Sequence, residues 1–486
     1  MIAAIPTTDL RIGDNATPTT ETERLARVLA ATNLAGTTAT CTGPIRLTGS
    51  RTVVDSSTGQ ILHREAPGPF DGNIAVSCRN RRSSVCPACS RLYQYDAYNL
   101  IVAGLRGGKN TPEQVAEHPR LFVTLTAPSF GPVHLGPDKK GSLRPCHPRR
   151  TGASCRTWHR VGDPVIGTPV DPDTYDYTGH VLFNANAGAL WSRFTTGVRR
   201  TLAELAGLTR SEFADRATVA FAKVAEYQVR GVVHFHAVIR LDGPEASAPL
   251  PWATDALLEQ AVRKAVAFTR VTTPESAAVP SRILTWGNQI DIRPIGGTDD
   301  AVSDATVARY VAKYATKSAE TVGVELRSLA CRGCRGSGSV SIAASEQDMP
   351  RICRDCLGTG RRADAAGDLD GLSPHARSLI DACWRLGGAP ELAGLKLRRW
   401  AHMLGFRGHF ATKSRSYSTT FAALRAERAE YSAARTLDAI GLPFDGSIVV
   451  VNNWHYAGRG RPADPPTPDP LSPESSLSPI VAGGAR

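Results

Sequence analysis

No run of apolar residues in this chain approaches the roughly 20 needed to cross a bilayer as a helix. The opening residues, MIAAIPTTDL, also lack the basic start of a secretory signal. The expected setting is therefore the cytoplasm, with no membrane partner. Lysine is scarce, supplying only nine of the 57 basic residues, so the formal net charge of +12 rests on arginine. Guanidinium groups bind phosphate bidentately, which makes a nucleic-acid partner plausible; a GC-rich genome would enrich arginine in the same way. Apolar residues make up 42% of the chain and charged ones 21%, which excludes a wholly disordered polymer and allows two to four folded domains. A reducing compartment disfavours disulfides, so the eleven cysteines read as metal ligands, and their clustering agrees.

The pattern along the chain predicts an α+β protein with an antiparallel sheet, flanking helices, zinc-binding insertions and a helical C-terminal region. Residues 1–40 read as a flexible segment with a short helical stretch at Glu21–Ala31, and 41–106 as a cysteine-rich module ending in a helix from Arg91. A central domain is expected over 115–325. It contains a strand at Leu121–Thr126, an irregular insertion at 131–173 rich in Pro, Gly, Cys and His, and a helix at Ala185–Gly207. A hairpin of Thr218–Val229 and Val232–Leu241 turns at Arg230-Gly231; a helix (252–269), a strand (Ile283–Ile295) and a helix (Thr306–Lys317) come next. Residues 326–362 form a second cysteine insertion, 370–456 a mostly helical basic region, and 457–486 a Pro/Ser-rich tail unable to bury enough apolar surface to fold.

Two motifs carry chemistry. In Val232-Val233-His234-Phe235-His236-Ala237-Val238-Ile239, alternate residues of a strand share a face. His234 and His236 therefore project together, about 7 Å apart along the strand, while Phe235, Ala237 and Ile239 pack behind them. Two such imidazoles can converge on one divalent ion, although an isolated His-x-His is common without one. In Tyr310-Val311-Ala312-Lys313-Tyr314-Ala315-Thr316-Lys317, helical spacing puts Tyr310, Tyr314 and Lys317 on one face with Lys313 beside it. Phenols flanked by ammonium groups suit attack on a phosphodiester; a surface helix with half-packed tyrosines would look the same.

The order LFVTLT, HFH, YVAKYATK resembles the three motifs of rolling-circle replication initiators in the HUH endonuclease superfamily. The paired tyrosines resemble the two-tyrosine group, which includes replication proteins of small single-stranded DNA phages. The wider pattern, with its cysteines and Glu226-Tyr-Gln-x-Arg-Gly-Val-Val-His234-Phe-His236, is similar to initiators of actinobacterial plasmids and integrative elements over residues 41–456. The resemblance implies that His234 and His236 hold Mg²⁺ or Mn²⁺. Because such ions favour oxygen, a carboxylate should complete the set. Glu226 is the first choice, but a two-residue loop at Arg230-Gly231 would put Tyr227 on the histidine face, and one bulge would reverse that. Gln228 and Asp291 are alternatives. The implied reaction is metal-assisted transesterification at origin DNA, single-stranded and duplex. It leaves a 5′-phosphotyrosine and a 3′-hydroxyl for a host polymerase, with a host helicase as further partner. Tyr314 is the preferred first nucleophile because Lys313 and Lys317 bracket it. A relaxase or transposase would share this chemistry, and a zinc-dependent DNA-binding regulator would dispense with it.

Cys331-x-x-Cys334 and Cys353-x-x-Cys356 have the spacing of a four-thiolate zinc site, and the repeats CRGCRGSG and CRDCLGTG resemble the zinc-binding repeats of DnaJ-type cochaperones, here two without a J-domain signature. Cys41, Cys78, Cys86 and Cys89 could form a second site. Cys146, His147, Cys155 and His159 are looser candidates for a third. Small cores of reduced cysteine are the alternative for both, and Cys383 reads as simply buried. Arg398, Arg399, Arg407, Lys413 and Arg415 lie among aromatic residues, a mixture suited to origin recognition and equally to a ligand-free basic bundle.

Overall fold

The computed structural model describes residues 40–65, 73–138, 140–246, 248–296, 302–340, 351–439, 441 and 447–460. The Glu21–Ala31 helix and residues 461–486 of the expected tail lie outside these. The fold is mixed α+β with antiparallel sheets, as the pattern predicts, and the chain divides into two compact units. One comprises Met1–Asn80, Val85–Leu92 and Leu424–Arg486, the other Arg81–Ser84 and Tyr93–Ala423. No described helix is long and apolar enough to cross a membrane.

In the first unit, a long strand, Ile45–Asp55, pairs antiparallel with Ile61–Glu65, Asn73–Val76 and Ile448–Arg459. The last of these corrects two expectations. Residues 448–456 are strand, not helix, because the run Ile448-Val449-Val450-Val451 is β-branched. The strand also continues through Arg459, past the expected start of the tail.

The second unit is built on a five-stranded antiparallel sheet. Its order is Ala411–Lys413, Thr218–Tyr227, Val233–Asp242, Arg120–Leu125, Ile290–Pro294. Period-two alternation divides the strand Val233–Asp242 cleanly. Phe235, Ala237, Ile239 and Leu241 enter the large apolar core, where helices Tyr177–Leu205, Asp255–Phe268 and Pro374–Leu386 also bury their apolar stripes. Trp191 and Trp286 meet the Phe235 ring at 5.8 and 5.6 Å between centroids. The odd-numbered side chains thus anchor the strand, leaving His234 and His236 on the other face.

Two departures from the expected pattern bear on how the sheet is completed. The stretch Ile283–Ile295 is not one strand: Ile283–Leu284 and Ile290–Pro294 are separated by a segment in which Trp286 is buried and the Gly287 N–H donates to the Thr126 carbonyl at 2.8 Å. The expected 370–456 region is not a single helical body either. Helix Pro374–Leu386 belongs to the core beside the sheet, Ala411–Lys413 is the sheet's edge strand, and the second helix, Phe421–Ala439, crosses the boundary between units.

The hairpin loop is one residue longer than the two expected. Gln228 pairs with Val232 (N–H to carbonyl, 2.9 Å), the Gly231 N–H donates to the Gln228 carbonyl at 2.7 Å, and Gly231 has φ +84°. This is a three-residue loop closed by a left-handed glycine, a common hairpin solution. A Cβ at Gly231 would lie 2.9 Å from Leu404 Cδ1 as well as straining the backbone. Gly231→Ala should therefore cost about 1–3 kcal/mol, read as a lowered denaturant midpoint.

Candidate active site

The three-residue loop sets the register Glu226↔His234 and Tyr227↔Val233. Glu226 consequently shares the histidine face, resolving the ambiguity in the sequence, while Tyr227 points into the core and donates to the Met403 carbonyl at 2.5 Å. Glu226 Oε2 lies 3.3 Å from His234 Nε2 and 3.2 Å from His236 Nε2, and the two Nε2 atoms are 2.8 Å apart. Adjacent ligands of an octahedral ion with bonds of about 2.1 Å stand about 3.0 Å apart, so the three donor atoms fit one Mg²⁺- or Mn²⁺-sized centre. On the adjacent strand, Thr124 Oγ1 lies 3.0 Å from His236 Nδ1. When that N–H donates to the hydroxyl, the Nε2 lone pair is left facing the cluster. Burial opposes ionisation of Glu226, but its contacts with His234 and His236 outweigh it and bring the carboxyl down to about 2. Burial also lowers the basicity of His236.

Facing this cluster is the helix Asp304–Ala315, which carries both tyrosines. Ser303 caps its start, accepting the Thr306 N–H at 3.3 Å. Asp304 is tied to Arg120 at 3.2 Å and Arg106 at 2.9 Å. At the other end, Arg81 donates to the carbonyls of Ala315 (3.1 Å) and Lys317 (2.7 Å), satisfying acceptors that the helix leaves open. Val307, Ala308, Val311, Ala312 and Ala315 are buried, so the helix is fixed in rotation as well as at its ends. Tyr310 OH then lies 3.1 Å from His236 Nε2, and the two phenol rings are 4.5 Å apart between centroids. Lys317 Nζ is 4.2 Å from the Tyr314 ring centroid and 3.6 Å from Glu226 Oε1; Lys313 Nζ is 5.7 Å from the same ring. Burial raises both phenols above their ordinary range. A cleft of about 670 Å³ opens beside Tyr310 and His236, lined further by Phe122, Thr126, Asn288 and Arg293.

Residues 28–467 match the family model described as "Replication initiator protein, pSAM2". The chain belongs to this replication initiator family. A curated relative from Streptomyces ambofaciens, described as "Replication initiator protein", is 43% identical over 432 residues, covering 86% of this chain and 84% of its own length. No solved structure matches.

In this initiator the two alternative metal ligands stand aside. Gln228 Oε1 accepts from Arg230 Nε at 2.9 Å, and Asp291, about half exposed, pairs with Arg293 at 3.2 Å. Asp291 does line the cleft. Sequence reasoning missed Thr124, Arg81, Arg120 and Asp304. The first was within reach, since period two puts Phe122, Thr124 and Thr126 of LFVTLT on one face; the others act across long sequence separations that no local pattern reports.

Both four-cysteine groups come together, each with its sulfurs within 4.8 Å of one another, and could hold a structural metal such as zinc. Tetrahedral Zn–S bonds of about 2.3 Å separate sulfurs by about 3.8 Å. Cys331–Cys353 stand at 3.8 Å and Cys334–Cys356 at 3.6 Å. Cys41 lies 3.8 Å from both Cys86 and Cys89, and Cys78 lies 3.6 Å from Cys89. Backbone amides point at the sulfurs. Gly338 and Gly360 donate to Cys334 and Cys356, and Cys78 and Thr42 to Cys41 and Cys86. Burial opposes the thiolate at Cys86, but amides of Cys89 and Thr42 outweigh it and lower the group to about 6. Cys383 is fully buried in the main core, as expected. The looser third group assembles with a different fourth member. His147 turns away and places Nε2 2.8 Å from the Val133 carbonyl, while His134 joins Cys146, Cys155 and His159.

The five basic residues expected to read the origin do not act alike. Arg398 donates to the carbonyls of Trp384 and Gly336, Arg407 to Gly394 through one nitrogen, and Lys413 to Ser414, Arg415 and Ser418. Arg399 lines a cleft with Arg327, Arg332, Arg335 and Arg362 beside the Cys331 centre, whereas Arg415 lines a separate one near Asp242.

The anchoring of the tyrosine helix is directly testable. Asp304→Asn removes the first of the two carboxylates, Asp304 and Asp255, that act on the largely buried Arg120 and should cost about 2 kcal/mol in chemical denaturation. Arg106→Ala, at the exposed end of the same network, should cost less than about 1 kcal/mol.

Proposed function

We propose that this initiator is a site-specific DNA endonuclease and strand transferase that begins rolling-circle replication by tyrosine transesterification. The observation that carries the reading is the 3.1 Å approach of Tyr310 OH to His236 Nε2, within the same cluster as Glu226 and His234. That approach would bring a phenol oxygen and the donor atoms of a divalent-ion set within reach of one phosphate. Glu226, His234 and His236 would hold Mg²⁺ or Mn²⁺, which when bound supplies Lewis-acid polarisation of a phosphate oxygen.

A single-stranded origin segment enters the cleft beside Phe122, Asn288 and Arg293. The Tyr310 oxygen forms the new bond to phosphorus, the bond to the 3′-oxygen breaks, and the phenol's proton ends on that leaving oxygen. One phosphodiester replaces another, so no nucleotide is consumed, and the free 3′-hydroxyl is available to a host polymerase, with a host helicase opening the duplex. Two observations support Tyr310 ahead of Tyr314, reversing the order favoured by lysine spacing: it lines the cleft, and it bonds to the ligand imidazole. Tyr314, between Lys313 and Lys317, takes the second transfer at the end of a round. The same site chemistry would serve a relaxase or transposase; membership of a replication initiator family favours replication.

With origin single-stranded DNA and Mn²⁺, the wild-type chain should form a covalent adduct on a denaturing gel. Tyr310→Phe should reduce it at least about 10³-fold, while Tyr314→Phe should leave the first adduct and block circle release. Origin-dependent replication that survives in the double phenylalanine variant would point instead to a non-catalytic regulator, and an adduct surviving there to a nucleophile other than these tyrosines.

Duplex recognition falls, in this reading, on the arginine cleft beside the Cys331 zinc centre rather than on all five basic residues first considered. Replacing Arg332, Arg335 and Arg399 together by alanine should weaken duplex binding and flatten the salt dependence by about 1 log unit per lost phosphate contact, measured by fluorescence anisotropy. An unchanged slope would remove the cleft from the interface.

A further inference from the structure

Among its described residues the insertion between strand Arg120–Leu125 and helix Tyr177–Leu205 has no sheet of its own; its backbone contacts are turns and isolated bridges such as Val133↔Pro169 and His147↔Cys155. Its ends reach the main core through Phe130, Val133 and Tyr175, but the stretch between them needs another source of order. Four side chains of this segment meet at one point. His134 Nδ1 lies 3.1 Å from His159 Nε2 and 3.7 Å from Cys146 Sγ, and Cys155 Sγ lies 3.5 Å from His159 Nε2. Tetrahedral zinc, with bonds of about 2.3 Å to sulfur and about 2.05 Å to nitrogen, would set N···N near 3.3 Å and N···S near 3.6 Å. The observed edges match these values and are unrelated to disulfide geometry.

Three details extend the match beyond proximity. His159 is buried, and its other nitrogen, Nδ1, lies 2.7 Å from the Asp163 carboxylate, the outer partner that fixes a zinc-bound imidazole in its ligating tautomer. The Leu135 N–H donates to Cys146 Sγ at 3.1 Å, the same amide-to-sulfur contact seen at both four-cysteine centres. His147, the neighbour of Cys146 in sequence, is excluded for a local reason. In the extended segment that bridges to Cys155, adjacent side chains point to opposite sides, and His147 is engaged by Val133.

We propose that His134, Cys146, Cys155 and His159 form a third structural zinc site, a Cys₂His₂ centre oriented by Asp163, which holds the insertion against the catalytic hairpin. The contact it secures is visible at Gly167 (φ +84°), where a Cβ would lie 2.6 Å from Val229 Cγ1 in the hairpin loop. A zinc-ordered insertion thus buttresses the loop that sets the Glu226 register.

The test is a zinc count on the full chain by inductively coupled plasma mass spectrometry, which does not depend on nicking. Wild type should carry three equivalents and Cys146→Ser/Cys155→Ser two. Asp163→Asn, which removes no ligand and should fold, should lose zinc to a chromophoric chelator at about 10–100-fold lower concentration. His147→Ala should retain all three equivalents. Equal zinc content in wild type and the double serine variant, or loss of zinc in His147→Ala but not in Asp163→Asn, would overturn the assignment.

Discussion

The site depends on one register. Side chains along a strand alternate faces, so moving the pairing of Thr218–Tyr227 with Val233–Asp242 by one residue would send Glu226 to the core and bring Tyr227 to the histidines. Two constraints of different kind hold the register. The loop glycine at positive φ fixes how many residues the turn consumes, and the Phe235 ring between Trp191 and Trp286 fixes which face is apolar. Neither constraint touches the groups proposed to react. Both decide where those groups stand.

The opposing half of the site is positioned by charge. A twelve-residue helix has little stability by itself, and its orientation comes from what meets its ends and its buried stripe. Here arginines act at both ends, Arg120 and Arg106 on the Asp304 carboxylate and Arg81 on the final carbonyls. The scarcity of lysine gains a local meaning from this: the planar guanidinium is pre-organised, so less freedom is lost per hydrogen bond than with an ammonium, and the single Nη1 of Arg81 serves both carbonyls.

Much of this was legible in the sequence where chemistry coincided with a short-range period. The histidine pair needed only alternation along a strand, and the tyrosines only helical spacing. Glu226 was half legible, because its face turned on a single residue of loop length that the dipeptide Arg230-Gly231 does not specify. The third cysteine–histidine group was misread by one member, since closeness in sequence favoured His147, whereas extended backbone points neighbours apart and a turn returns His134. The C-terminal reading failed for a similar reason. Composition reported positive charge, but not that Arg398 and Lys413 would be engaged by carbonyls or that Ala411–Lys413 would complete a sheet edge.

The two phenols are not interchangeable copies. Their rings stand 4.5 Å apart, with only one of them lining the cleft. Under the reaction proposed, the helix works as a turnstile: the phenol at the cleft is loaded first, and while it keeps its strand end the neighbour one turn along stays open for the next cut.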